Sequence, residues 1–217
     1  MALAIFDLDN TLLGGDSDYL WGKYLVENQH VDGLNFQQAN QDFYDQYVAG
    51  TMDIFEFLTF QLKPLADNDI SVLEQWRADY LKQKIDPILL PAAHKLIEKH
   101  VQQNDTLLII TATNRFITAP IADKLAIPNL IATEPEMVDG QYTGAVAGTP
   151  SFQQGKVTRL NAWLAENQHS LEGSYFYSDS HNDLPLLELV THPIAVDPDP
   201  QLTTAAKHNN WPIISLR

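Results

Sequence analysis

The stretch Ala2-Leu-Ala-Ile-Phe-Asp7-Leu-Asp9-Asn10-Thr11 decides the fold of this chain. Its apolar run, 2–6, is typical of a buried central strand in a parallel sheet, and two carboxylates follow at once. Ligands of such sheets gather at the carboxyl ends of the strands. Asp7 and Asp9 are therefore expected beside a Mg²⁺ that takes a carboxylate oxygen and a backbone carbonyl. A solvated turn with a capping Asp fits this short pattern too, and these residues alone leave it open.

The chain after residue 90 alternates strand-like and helix-like segments. Including the first run, strand-like segments lie at 2–6, 106–110, 129–132, 174–177, 193–196 and 213–216. Amphipathic segments lie near 91–103, 115–126, 154–168 and 183–190. This alternation predicts βαβ units in a doubly wound, Rossmann-like parallel sheet of the α/β class. Asp139-Gly140 predicts a hairpin within 135–144.

Residues 16–85 differ from the rest because they hold aromatic residues at helical spacing and no strand-like run before Ile85. The apolar stripes include Trp21, Tyr24, Phe43, Tyr44, Tyr47, Phe57, Leu58, Trp76 and Tyr80. Such stripes favour the core of a helical bundle over a cofactor site. We therefore predict a helical cap domain at 16–85, inserted after the first strand of a core domain formed by 1–15 and 86–217.

Composition narrows the function classes. The 217 residues carry a net charge of −15, which argues against nucleic-acid binding because a nucleic acid requires a basic face. The sequence contains no run of about 18 apolar residues, so no membrane span is predicted. The absence of cysteine excludes a disulfide framework, a thiolate metal site and a cysteine nucleophile. With no basic leader visible, we expect a cytoplasmic monomer or homodimer that acts on a small phosphorylated metabolite.

Three further elements follow the acidic stretch in order. Thr111 ends the apolar run 106–110, Lys156 opens an amphipathic segment, and Ser178-Asp179-Ser-His-Asn182-Asp183 follows the run 174–177. This order resembles the four motifs of the haloacid dehalogenase superfamily of phosphohydrolases across the whole chain. Within it, the chain looks closest to subfamily IB, the branch of the phosphoserine phosphatases and histidinol-phosphate phosphatases. In that branch a C1-type helical cap follows the first motif.

The resemblance implies roles for individual residues. Asp7 would be a nucleophile that forms an aspartyl-phosphate, and Asp9 a general acid that later acts as a base. The predicted phosphate contacts are Thr111, Ala112, Lys156 and Asn182. The predicted Mg²⁺ site comprises Asp7, Asp9, Asp179 and Asp183, with Asp179 a better direct ligand than Asp183. Because a halide leaves without protonation, an acid at Asp9 favours phosphoryl transfer over dehalogenation.

The predicted substrate is a small cation. Asp16 falls where phosphoserine phosphatases carry an acid that meets the substrate's ammonium group, but Thr59 aligns with their carboxylate-binding Arg. Losing that Arg favours a cationic substrate without a carboxylate, most specifically histidinol phosphate, with Glu56 and Arg115 as further contacts. Three alternatives stay open: a phosphoserine phosphatase, a phosphotransferase that uses a sugar acceptor, and a catalytically silent metal-binding domain.

Overall fold

A six-stranded parallel sheet forms the centre of the molecule, whose computed structural model describes residues 2–217. Its strands are β1 (Leu3–Phe6), β2 (Thr106–Asn114), β3 (Asn129–Thr133), β6 (Tyr175–Ser178), β7 (His192–Val196) and β8 (Ile213–Ile214). Between them, β4 (Pro135–Val138) and β5 (Gln141–Val146) form a separate antiparallel hairpin. The predicted parallel α/β sheet is confirmed.

The strand order is β3-β2-β1-β6-β7-β8, and every neighbouring pair is parallel. The order reverses between β1 and β6, so the crevice for ligands lies at the carboxyl ends of these two strands. Phe6, the last residue of β1, pairs with Ile109 on one side and Tyr177 on the other. Asp7 therefore leaves the sheet at this crevice.

Helices make up the insert between β1 and β2. They are α1 (Ser17–Glu27), α2 (Gly33–Ala49), α3 (Ile54–Ala66) and α4 (Ile70–Tyr80), followed by a π-helical turn (Leu81–Ile85) and a 3₁₀ turn (Asp86–Ile88). The predicted helical cap after the first strand is confirmed as an element of the fold, whereas its limits at 16 and 85 stay a prediction. The helices around the sheet are α5 (Pro91–Gln102), α6 (Arg115–Lys124), α7 (Gln154–Asn167), α8 (Leu184–Leu187) and α9 (Pro200–Asn209). No helix within residues 2–217 combines the length and apolar character that a bilayer crossing requires.

Strand β1 is buried on both faces, which explains its uninterrupted apolar sequence. Ala4 and Phe6 belong to a cluster that continues into the cap through Trp21 and Tyr80. Leu3 and Ile5 belong to a second cluster, built with α7, α8 and α9. The sheet and the cap therefore share one hydrophobic core.

Two elements, β2 and α8, differ most from their predicted extent. Strand β2 does not end at residue 110 but continues to Asn114, because after a register shift it pairs with β3 again. The predicted helix at 183–190 is a 3₁₀ turn (His181–Asp183) followed by the short helix α8. Pro185 sits at the start of that helix, where a missing N–H costs nothing.

Candidate active site

Lys156 joins two carboxylates at the floor of the crevice. Its Nζ lies 2.7 Å from Asp7 Oδ1 and 2.8 Å from Asp183 Oδ1, and its side chain is 4% exposed. Asp183 also accepts a hydrogen bond of 2.7 Å from the Ser178 hydroxyl. Lys156 reaches this position because Gly155 lets the start of α7 approach Pro150, whose carbonyl oxygen would lie 2.1 Å from an added Cβ.

The charges on this floor do not balance. Burial raises the pKa of Asp7 to about 7 against the attraction of Lys156, and the negative charges of Asp183 and Asp9 add to the increase. Burial alone would lower the pKa of Lys156, but Asp183 and Asp7 outweigh it and raise that pKa. One ammonium group is therefore shared by two buried carboxylates, and the site favours a further cation.

Thr11 connects Asp7 to Asp179 at the end of β6. Its hydroxyl lies 3.1 Å from Asp179 Oδ1 and 3.3 Å from Asp7 Oδ2, so its one proton serves either carboxylate. The same hydroxyl accepts a hydrogen bond from the Asp179 N–H. Burial raises the pKa of Asp179 well above its ordinary value, and the charges of Asp7 and Asp183 raise it further.

The donor set fits a hard cation such as Mg²⁺. Asp7 and Asp179 offer carboxylate oxygens that lack full compensation, and oxygen is the ligand that Mg²⁺ prefers. No group of three or more His, Asp or Glu side chains within residues 2–217 is arranged as a metal cage. The oxygens of Asp183 contact Lys156 and Ser178, which agrees with the prediction that Asp179 is the better direct ligand; the metal site itself stays a prediction.

Asp9 is held apart from this group by donors on its other side. Its Oδ1 accepts the N–H of Ser17 at 2.6 Å, and its Oδ2 accepts the hydroxyls of Thr113 at 2.9 Å and Thr111 at 3.2 Å. The Asp9 carboxylate is thus turned toward β2 and the start of α1. The side chain is occupied by these donors, and the expected contact of Asp9 with the metal through a backbone carbonyl stays a prediction.

Above the floor, the cap closes a pocket lined by acids and aromatic rings. Four carboxylates, those of Asp7, Asp9, Asp16 and Asp18, line it. The aromatic lining comes from Tyr19, Phe43, Tyr44, Tyr47 and Phe57. Within residues 2–217, no Lys, Arg or His side chain lines this pocket. Away from Lys156 at the floor, the pocket therefore favours a part of the ligand that is positively charged and has a flat apolar group.

Comparison with known proteins agrees with this arrangement. A family model described as haloacid dehalogenase-like hydrolase matches residues 4–188. The chain belongs to this family. It is 43% identical over 219 residues to a histidinol-phosphatase of Neisseria meningitidis serogroup C, covering 99% of each chain.

Two solved structures superpose on this chain over nearly its whole length. A Bordetella pertussis Tohama I protein of unknown function superposes with a TM-score of 0.94 at 42% identity, over 100% of this chain and 99% of that one. A phosphoserine phosphatase solved as a phospho-aspartyl intermediate analogue superposes with a TM-score of 0.72 at 17% identity, over 100% and 93%, and shows the shared fold. The chain is thus a phosphatase of the haloacid dehalogenase-like branch that holds histidinol-phosphatases and phosphoserine phosphatases.

Several predicted substrate contacts lie away from the pocket of this haloacid dehalogenase-like phosphatase. Arg115 is 41% exposed and donates to Glu134 at 2.8 Å, so it does not supply a cation to the site. Glu56 and Thr59 are exposed on α3, and the Thr59 hydroxyl donates to the carbonyl of Phe55. The pocket lining among residues 2–217 includes none of these three residues, so their predicted substrate contacts find no support in this structure and stay predictions.

Of the remaining residues predicted to contact phosphate, some line the pocket and one does not. Thr111 and Ala112 line the pocket. Asn182 is buried outside the pocket lining, donates from Nδ2 to the carbonyl of Tyr47 at 3.2 Å, and accepts from Gln153 at 2.9 Å. Asn182 thus connects the core to the cap, and its contact with phosphate stays a prediction.

Sequence reasoning missed two groups of pocket residues. Asp18 and Thr113 each lie two residues after a predicted site residue, and that spacing on a helix start and a strand was the available signal. The aromatic stripe of α2 predicts the core of a bundle, yet Phe43, Tyr44 and Tyr47 line the pocket. Helical periodicity identifies the apolar face of a helix but not the cavity that this face meets.

Proposed function

We propose that this phosphatase is a Mg²⁺-dependent hydrolase of histidinol phosphate that works through an aspartyl-phosphate on Asp7. The observation that carries the proposal is the pocket lining, which pairs Asp16 and Asp18 with aromatic rings and includes no basic side chain among residues 2–217. Histidinol phosphate carries an amine and an imidazole ring but no carboxylate. Phosphoserine carries a carboxylate that would face these acids without a cationic partner.

Asp7 attacks phosphorus, and the oxygen of the ester leaves. Lys156 keeps the Asp7 carboxylate oriented at 2.7 Å and supplies fixed positive charge next to the phosphoryl oxygens. Asp9 donates a proton to the leaving oxygen, and the same carboxylate then takes a proton from the water that hydrolyses the aspartyl-phosphate. Thr113, Thr111 and the N–H of Ser17 fix Asp9 for both transfers.

Asp7 and Asp179, with the carbonyl of Asp9, would hold the Mg²⁺, which supplies charge neutralisation for the phosphate and the two carboxylates. Thr11 supports this assignment, since its hydroxyl lies within hydrogen-bond distance of both carboxylates. Asp183 acts through Lys156, because it holds the ammonium group at 2.8 Å and is itself fixed by Ser178.

The other basic residues near the cap support a pocket without a carboxylate partner. Arg77 donates to the carbonyl of Phe116 at 3.0 Å and lies 4.4 Å from the centre of its ring. Arg115 is paired with Glu134. The histidinol-phosphatase that is 43% identical along the whole chain supports the same choice of substrate.

A kinetic panel tests the proposal. Phosphate release is measured from histidinol phosphate, phosphoserine, O-phosphoethanolamine, glycerol phosphate and glucose 6-phosphate, each with Mg²⁺ and with a chelator. Histidinol phosphate should have the highest kcat/KM, and the chelator should remove activity on every substrate. A higher kcat/KM for phosphoserine would contradict the substrate assignment, and undiminished turnover in metal-free protein would contradict the Mg²⁺ assignment.

A further inference from the structure

The start of α1 presents two acids to the pocket rather than one. Asp16 caps the helix by accepting the N–H of Tyr19 at 2.8 Å. Asp18 is 6% exposed and accepts a hydrogen bond at Oδ1 from Nε2 of Gln61 on α3. The same Nε2 lies 3.0 Å from the Asp18 backbone carbonyl, so Gln61 contacts two of the three acceptor oxygens of this residue.

Asp18 keeps one acceptor atom for a ligand. Its Oδ2 accepts no hydrogen bond from any residue between 2 and 217, although the side chain is buried and lines the pocket. A buried carboxylate is costly unless its charge and its lone pairs find partners. Consistently, burial raises the pKa of Asp18 to about 7 even though the Gln61 hydrogen bond opposes the increase. Asp18 thus keeps an acceptor atom that receives no donor from residues 2–217 in the pocket that it lines.

The two acids are held by different partners. Asp16 precedes Ser17, whose N–H donates to Asp9. Asp18 is bonded to Gln61 on α3, a helix of the cap. In histidinol phosphate the amine is attached one carbon from the ester CH₂, and the imidazole lies farther from phosphorus. The pocket therefore offers one acid for each of the two nitrogen-bearing groups of this substrate.

Aromatic rings beside the acids provide faces for a flat group. The rings of Tyr19 and Tyr44 lie 4.8 Å apart, and those of Phe43 and Phe57 lie 5.5 Å apart. All four line the pocket with Asp18. A heteroaromatic ring gains from stacking on such faces while its N–H reaches a carboxylate at the edge.

We propose that Asp18 is a specificity-determining residue that accepts a hydrogen bond from a ring N–H of the substrate, and that Gln61 is the positioning residue that holds Asp18 for it. The inference rests on the proposed function and deepens it. The pocket selects phosphomonoesters that carry two nitrogen-bearing groups, an amine near the ester and a ring beyond it.

The test compares histidinol phosphate with O-phosphoethanolamine, which keeps the amine and lacks the ring. Asp18→Asn should lower the ratio of their kcat/KM values by about 10- to 100-fold, mainly through KM for histidinol phosphate, because a hydrogen bond to a charged group is lost. Asp16→Asn should lower kcat/KM for both substrates and change their ratio much less. Asp42→Asn, an exposed change on α2, serves as the matched control and should not change the ratio.

Gln61→Met provides a second variant that keeps the Asp18 carboxylate and removes the donor that orients it. It should lower the same ratio, by less than Asp18→Asn does, and it decides the question if Asp18→Asn fails to fold. An equal loss on both substrates, or an unchanged ratio in both variants, would overturn the role of Asp18. Wild-type protein is assayed first, and its failure to hydrolyse histidinol phosphate would instead overturn the proposed function.

Discussion

Lys156 is the residue on which the active-site floor depends, because its ammonium group is the partner of both Asp7 and Asp183. Removing one member of a buried charged group leaves the others uncompensated, which costs more than the lost contact itself. Substitutions on this floor therefore separate into those that remove chemistry and those that disturb the charge balance.

Replacing the proposed nucleophile removes chemistry. Asp7→Asn should fold, because the amide is isosteric and removes a carboxylate that burial disfavours, but an amide does not attack phosphorus. Turnover should fall by at least about a hundredfold, as expected for a group that acts in concert with its neighbours. Steady-state phosphate release, with thermal unfolding as the folding control, checks this. Activity above about a hundredth of the wild-type value would assign the nucleophile to another residue.

The two acids after β6 should differ in their effect on metal binding. Asp179→Ala removes a proposed ligand, whereas Asp183→Ala removes a partner of Lys156. We expect the apparent Kd for Mg²⁺, titrated calorimetrically, to increase more for Asp179→Ala, and by about 10- to 100-fold or more relative to wild type. A larger increase for Asp183→Ala would exchange the two roles.

At the scale of elements, the start of α7 illustrates how backbone contact positions a side chain. Gly155→Ala would place a Cβ 2.1 Å from the Pro150 carbonyl oxygen, so the helix start must move and Lys156 with it. We expect a loss of about 1–3 kcal/mol in the free energy of unfolding, together with reduced kcat, measured by urea unfolding and steady-state kinetics.

Gly33→Ala is the matched control, because Gly33 opens α2 and an added Cβ meets only Val26 at 3.9 Å. This change should be neutral or stabilise by up to about 1 kcal/mol through helix propensity. If Gly155→Ala were as well tolerated as Gly33→Ala, the close approach at Pro150 would not be needed to position Lys156.

The sequence was sufficient to predict elements whose burial is simple. Strand β1 is apolar at every position because both of its faces are covered, and the site acids follow it directly along the chain. The cap contacts could not be predicted in the same way. Glu56, Thr59 and the lining residue Phe57 lie within four positions on α3, and only the rotation of this helix against the core decides which of them faces the pocket. That rotation depends on long-range packing, which local periodicity does not contain.

At the scale of the whole molecule, the buried acids should make stability depend on pH in an unusual direction. Burial raises the pKa values of Asp7 and Asp18 to about 7 and those of Asp16 and Asp179 well above their ordinary value. Between about pH 4 and pH 8 the folded state therefore binds more protons than the unfolded state, and stability falls as pH rises.

At low pH the free energy of unfolding changes with pH in the opposite direction. Burial alone would raise the pKa of Asp199, but donation from His181 and Leu202 lowers it. The stability that Asp199 contributes is present above its ordinary pKa and is lost as pH falls through its lowered folded value.

Metal-free protein should thus be most stable near about pH 5, and Mg²⁺ should stabilise it more at pH 8 than at pH 5. Urea unfolding at these two pH values, with and without Mg²⁺, measures both effects. If metal-free protein were more stable at pH 8 than at pH 5, the proposal that buried carboxylates with raised pKa values destabilise it at high pH would be contradicted.

The central claim is that an acidic, aromatic pocket without a basic side chain among residues 2–217 selects a cationic ester over one with a carboxylate. Its most direct test is a competition in which wild-type protein receives equal concentrations of histidinol phosphate and phosphoserine with Mg²⁺, and early product formation gives the ratio of the two kcat/KM values. A carboxylate without an Arg partner loses charge-assisted hydrogen bonds, so histidinol should exceed serine by about 10- to 100-fold. Serine formed as fast as histidinol, or faster, would contradict the claim.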